Sequence, residues 1–270
     1  MNKIALDMVT KGGKASYLLN VNANAKTKKN KILTGVLYLS PSDSSGLANL
    51  CTSASAGCRS LCLGHEGRFR MEDSICKKRG TSSARLKRTQ ELLGNKTAFI
   101  ERLQNEINSM KKRAKKVAIR LNGTSDIGFT ETIGNKDNKK ISFYDYTKHR
   151  TKYISYISNK LPTNYHVTFS GDETTGNIGQ WFDDILNHAD NTDKKASIAL
   201  AFFPDDYARI LKEGYITTPQ GKKILVIDGD KTDYRPSDPK ICIVALRAKG
   251  RAKKAAIGGF VKAFISGEIV

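Results

Sequence analysis

Seven short runs of β-branched and aromatic residues punctuate this chain: GVLYLS (35–40), VAIRL (117–121), ISFYDY (141–146), HVTFS (166–170), SIALAFF (197–203), ILVID (224–228) and ICIVAL (241–246). They are nearly continuous in apolar character rather than alternating, as expected of strands covered on both faces in a parallel α/β sheet. Helical patterns lie between them. One begins near Ser82, breaks at Gly94-Asn95 and resumes with Phe99, Leu103, Ile107 and Met110 on one face. Others carry Ile154, Ile157 and Leu161; Ile178, Trp181, Phe182, Ile185 and Leu186; and Tyr207, Ile210 and Leu211. Alternation of this kind predicts an α/β fold: a partial or complete (β/α) barrel-like domain with mostly parallel strands over residues 33–270. Residues 1–32 are polar and basic and read as an N-terminal arm. No repeat or low-complexity linker divides the rest.

In parallel α/β folds the chemistry sits beyond the C-terminal ends of the strands. There the sequence places Asp126, Asp172, Asp228 and Asp230, the candidate catalytic carboxylates. Such residues also cap helices and make turns. The first strand runs instead into a cysteine loop, residues 50–68, with Cys51, Cys58 and Cys62 in C-x6-C-x3-C spacing. Three thiolates from one small-residue loop suit an iron–sulfur cluster, expected as 4Fe-4S, with Cys76 the candidate fourth ligand. Zinc is the alternative, with His65 or Cys76 completing the set. Cys242 lies between Ile241 and Ile243 in a strand and reads as a small core residue.

Charge narrows the partners. The chain has 46 Lys+Arg against 26 Asp+Glu, a formal net charge of +20. The cations cluster in three runs: Lys77, Lys78, Arg79, Arg85, Lys87 and Arg88; Lys111, Lys112 and Arg113; and Lys249, Arg251, Lys253 and Lys254. A sequence-nonspecific nucleic-acid surface, DNA or RNA, is expected from them, with Tyr144, Tyr146, Tyr153, Tyr156 and Phe69 as candidate stacking residues. No apolar run is long enough to span a membrane, and the N-terminus has no signal-peptide core. Without export, five cysteines argue for a metal rather than disulfides. His149, His166 and His188 form no triad, and no phosphate-binding loop, dinucleotide fingerprint or nucleophile elbow is present.

The strings LYLSP, NLCTSASAGCRSLCLGHEGR, RLNGTSDI, FYDYTK, TFSGDET and VIDGDKTDYRPSDPKICIVALRAKGRAKK resemble the bacteriophage family called gene product eighty-eight over most of residues 33–255. The resemblance implies a phage-encoded protein with a cysteine-loop metal site, acting in the cytoplasm of the infected bacterium. A looser architectural likeness links it to radical S-adenosylmethionine barrels, which also carry a three-cysteine loop after the first strand. Here the spacing differs from their usual C-x3-C-x2-C, and NGTSD stands where they often carry Gly-Gly-Glu. The functions consistent with these features are a nucleic-acid-binding iron–sulfur protein in phage DNA replication or processing, a metal-dependent or radical-type enzyme at the carboxylate rim, and an effector that binds a host protein.

Overall fold

A computed structural model of the chain describes residues 14–22, 32–62, 64, 81–129, 140–189 and 195–270. Each of the seven apolar runs forms a strand. They are β2 (Leu33–Leu37), β3 (Val117–Arg120), β4 (Ile141–Thr147), β5 (Tyr165–Ser170), β6 (Ala196–Phe202), β8 (Lys223–Asp228) and β9 (Ile241–Arg247). Short strands β1 (Leu19–Val21), β7 (Tyr215–Thr217) and β10 (Val261–Lys262) join them, giving the order β1-β2-β3-β4-β5-β6-β9-β8-β7 with β10 beside β6. The seven long strands pair in parallel; β1 and β7 are antiparallel edges. The sheet is therefore open, and no closed barrel forms among the described residues. The hairpin of β11 (Phe264–Ile265) and β12 (Glu268–Ile269) stands apart from it.

Six helices lie between or before the strands in the described chain: α1 (Ala56–Ser60), α2 (Thr81–Gly94), α3 (Lys96–Arg113), α4 (Arg150–Ile157), α5 (Ile178–Ala189) and α6 (Pro204–Glu213). The predicted break at Gly94-Asn95 is a helix junction, where the Asn95 side chain accepts from the Ala98 N–H at 3.0 Å and starts α3. Phe99, Leu103, Ile107 and Met110 all point into the core. Each such side chain contributes about 2 kcal/mol when buried.

Successive strand residues face opposite sides of a sheet. Val117, Ile119, Phe143, Val167, Phe169, Ile198, Leu200 and Ile243 pack with the helices in one core. On the other face Ala199, Cys242 and Val244 cluster with Tyr146, Ile227 and Leu246. Cys242 is thus a core residue, as its flanking isoleucines predict. This second face is covered by the connection from β8 to β9. Its 3-10 turn Arg235–Ser237 contacts β4 and β5. Tyr234 meets Tyr144 edge-on at 6.0 Å, and Asp233 pairs with Arg120 at 3.0 Å.

Within the described residues, the predicted arm is partly extended and held against the domain. Residues 19–21 form β1, whose first residue Leu19 and the preceding Leu18 are buried. The Glu106 carboxylate accepts from the N–H groups of both, at 2.9 Å each. Residues 1–13 and 23–31 lie outside the described residues.

Candidate functional site

The cysteine loop is fastened to the ends of three strands. Beyond β3, the Asp126 N–H donates to Leu50 O at 2.8 Å, and the Thr124 hydroxyl donates to Leu39 O. Beyond β4, the His149 ring lies 2.6 Å from Ser53 Oγ and 3.2 Å from Thr52 Oγ1. Beyond β5, Glu173 accepts from the Gly57 N–H at 2.7 Å and the Ser55 hydroxyl at 2.9 Å. Ser55 in turn caps α1 by accepting from the Cys58 N–H at 3.1 Å. None of these partners is near the loop in sequence, so a spacing-based reading misses both His149 and Glu173.

Cys51, Cys58 and Cys62 carry free thiols close enough to act on one another electrostatically. Burial, reinforced by the neighbouring thiols, pushes Cys51 and Cys58 up to about 11; burial also raises Cys62. Several features favour sulfur as an anion. The Ser42 N–H donates to Cys51 Sγ and the Gly64 N–H to Cys62 Sγ, both at 3.3 Å. Lys148 acts on Cys58, and Arg85 and Arg251 on Cys62, each lowering the cost of ionisation. Half-buried thiols whose ionisation burial opposes, yet which face amides and cations, suit ligands that a bound metal would deprotonate. Among the described residues, no three His, Cys, Asp or Glu side chains form a group able to hold a metal ion. His65 and Cys76 lie outside the described residues.

The four candidate carboxylates fall into two pairs, Asp126 and Asp172 meeting at Lys148 and Asp228 and Asp230 joined through the Asp230 N–H. Asp126 accepts from the Thr147 hydroxyl at 2.9 Å and the Lys148 N–H at 2.8 Å. Asp172 accepts from the Thr174 N–H and hydroxyl at 2.9 and 2.7 Å and pairs with Lys148 at 3.0 Å. Burial opposes its charge, but Lys148 and Thr174 more than offset this and hold the carboxyl below the ordinary aspartate range. Asp228 accepts from the Asp230 N–H and the Tyr207 hydroxyl. Asp230 pairs with Lys249 at 3.1 Å. Of the four, only Asp230 lines the main strand-end cavity.

That cavity has a volume of about 400 Å³. Cys58 and Cys62 form part of one wall, and Tyr38, Tyr146 and Phe260 supply aromatic surface. Arg120 and Asp233 bring a charged pair into it, and Arg247 and Lys249 stand at its lip. The Arg120 guanidinium also lies 4.7 Å from the centre of the Tyr146 ring. The Arg120–Asp233 pair joins positions 113 apart and had no local signature.

The basic runs separate in space. Arg85 and Arg88 are buried and spent internally: Arg85 donates to Gly64 O at 2.9 Å, and Arg88 to Tyr17 O at 2.9 Å and Asn20 Oδ1 at 2.8 Å. They do not belong to an exposed surface, whereas Lys87 is exposed. Lys77, Lys78, Arg79 and Phe69 lie outside the described residues. Lys111, Lys112 and Arg113 end α3 just before β3 begins, at the opposite end of the sheet from the cysteine loop. Lys249, Arg251, Lys253 and Lys254 are exposed on and beside the 3-10 segment Gly250–Lys254, which follows β9 at the cavity. Tyr144, Tyr153 and Tyr156 are buried; Tyr146 alone of the candidate stacking tyrosines lines the cavity.

The fold and site define a mostly parallel, open-sheet α/β protein with a three-thiol loop tied over its strand ends. The chain belongs to the Gene product 88 family, whose family model matches residues 16–262. No curated protein and no solved structure matches it. No helix among the described residues is long and apolar enough to cross a membrane.

Proposed function

We propose that the chain is an iron–sulfur enzyme in which Cys51, Cys58 and Cys62, which do not already form a single-ion site, would close on a cluster beside the strand-end cavity. The observation that carries this reading is that Cys58 and Cys62 both line a cavity large enough for a small ligand. A cluster held by those thiolates would supply redox chemistry beside the cavity, with Cys76 the candidate fourth ligand. The chain's own residues place the sulfurs and shape the space. Glu173, His149 and Asp126 fix the loop, and Lys148 bridges Asp172 and Ser170 O next to Cys58. Gly171 keeps the β5 end thin, since a Cβ there would lie 2.4 Å from Leu200 Cδ2. The likeness to radical-type enzymes remains one of architecture.

Anaerobic purification with metal and sulfide analysis tests the proposal. The expected result is a broad absorbance near ~400 nm with matching iron and sulfide, lost in Cys51→Ala, Cys58→Ala and Cys62→Ala. Stoichiometric zinc without sulfide, or colourless metal-free protein with all three thiols titratable, overturns it. A second reading, a nucleic-acid-binding protein in phage DNA metabolism, is favoured by the exposed cations at 249–254 beside the same cavity.

A further inference from the structure

We infer that the strand-end cavity takes one nucleotide unit of a nucleic-acid strand, its base among Tyr38, Tyr146 and Phe260 and its phosphates on the lip formed by Arg247 and Lys249. The inference rests on reading this cavity as the working site, but it does not need the cluster.

The cavity's size is the first support. About 400 Å³ lies toward the small end of ligand cavities and suits one ring system with its sugar. Its walls are the second. The Tyr38 ring lies directly against Gly123, where a Cβ would meet ring carbon Cδ1 at 2.6 Å. Tyr146 is backed by Arg120, and the Phe260 ring has the Lys148 ammonium 5.1 Å from its centre. Three rings held in place offer flat apolar surface to a base at little entropic cost. Arg120 and Asp233, paired with each other at 3.0 Å, bring polar atoms to the cavity wall.

Charge placement is the third support. Of the basic runs that the structure describes, only 247–254 adjoins the cavity. Five of its eight residues are cations, all exposed. The Lys249–Asp230 pair is solvent-accessible at both ends and neutralises the lip only weakly. One small carboxylate would need far fewer cations; a succession of phosphates matches them. A free nucleotide shares the base and phosphate chemistry, and the test separates the two sources.

The test uses the full chain, purified anaerobically, with a fluorescein-labelled single-stranded oligonucleotide of mixed sequence followed by anisotropy. Ala201→Phe fills the cavity floor, Tyr38→Ala removes one wall, and the double variant Arg247→Ala/Lys249→Ala strips the lip. Thermal unfolding checks that each is folded, and having two independent cavity variants guards against failure of one. Each is expected to weaken binding about tenfold, the scale of one lost base stack or of two lost phosphate contacts. The distant triple variant Lys111→Ala/Lys112→Ala/Arg113→Ala is expected to stay within about twofold, since it meets no phosphate in this mode. Unlabelled strand should displace the probe. Nucleoside monophosphates displacing it equally well at matched nucleotide concentration would assign the cavity to the free nucleotide instead of the strand. No binding, or binding unaffected by both cavity variants and displaced equally by inorganic polyphosphate, overturns the inference. Iron content is measured on the same samples. Binding without iron ends the iron–sulfur reading and leaves this one standing; iron without binding does the reverse.

Discussion

Glu173 shows how much one side chain can decide here. It follows a strand, where an acidic residue ordinarily serves a turn, yet it accepts from Ser55 and Gly57 in the cysteine loop, 116 positions from the latter. Glu173→Ala should destabilise the fold by about 1–2 kcal/mol, the cost of losing a cap and leaving its donors unpaired. It should also lower metal content under the conditions that load the unaltered protein, read by denaturation and metal analysis; unchanged loop metal content would show that the loop holds its shape alone. Asp172 makes a pH prediction. Its carboxyl is held below the ordinary aspartate range. The stability it contributes is therefore present above the unfolded aspartate pKa and is lost as pH falls through the lowered folded value. Asp172→Asn should lose stability at neutral pH and show a shallower decline into acid, measured as unfolding midpoint against pH. At this scale the loop that gathers three cysteines was legible because they are local in sequence. Glu173, His149 and the Arg120–Asp233 pair were not, because their partners lie about a hundred positions away in each case. Arg85 and Arg88 misread for the same reason: a basic run looks solvated until the carbonyls that bury it are known.

Elements were more legible than residues. The long strands and the helix patterns follow from runs of apolar residues, which carry period and length within themselves. The short strands β1 and β7 carry too few residues for a pattern, three each, and are set by pairing with β2 and β8. β1 also depends on Glu106 from α3, so Glu106→Ala should detach it. Faster amide exchange at Leu18 and Leu19, with β3 to β6 unchanged, is the expected signature. At the α2–α3 junction, Asn95→Ala should cost about 1 kcal/mol in chemical denaturation, because the Ala98 N–H loses its cap.

At the scale of the whole molecule, +20 is not one surface. One described run faces the cavity and another sits at the far end of the sheet, while two arginines of a third are interior. The net charge therefore overstates any single contact. The salt dependence of oligonucleotide binding should fall by about two in log–log slope when Arg247 and Lys249 are removed, as expected for two released phosphate contacts. An unchanged slope would place the phosphates elsewhere.

The position of β9 has a consequence for biosynthesis. It lies between β6 and β8 although it leaves the ribosome after both. Until Ile241–Arg247 emerges, β6 offers an open ladder of amides and carbonyls on that side, and β8 has only the three-residue β7 to pair with. Translation thus exposes a sticky β6 margin for the time needed to make some forty further residues, on the order of several seconds at ordinary elongation rates. The nascent chain is most prone to aggregate during that interval, and the final insertion of β9 closes it.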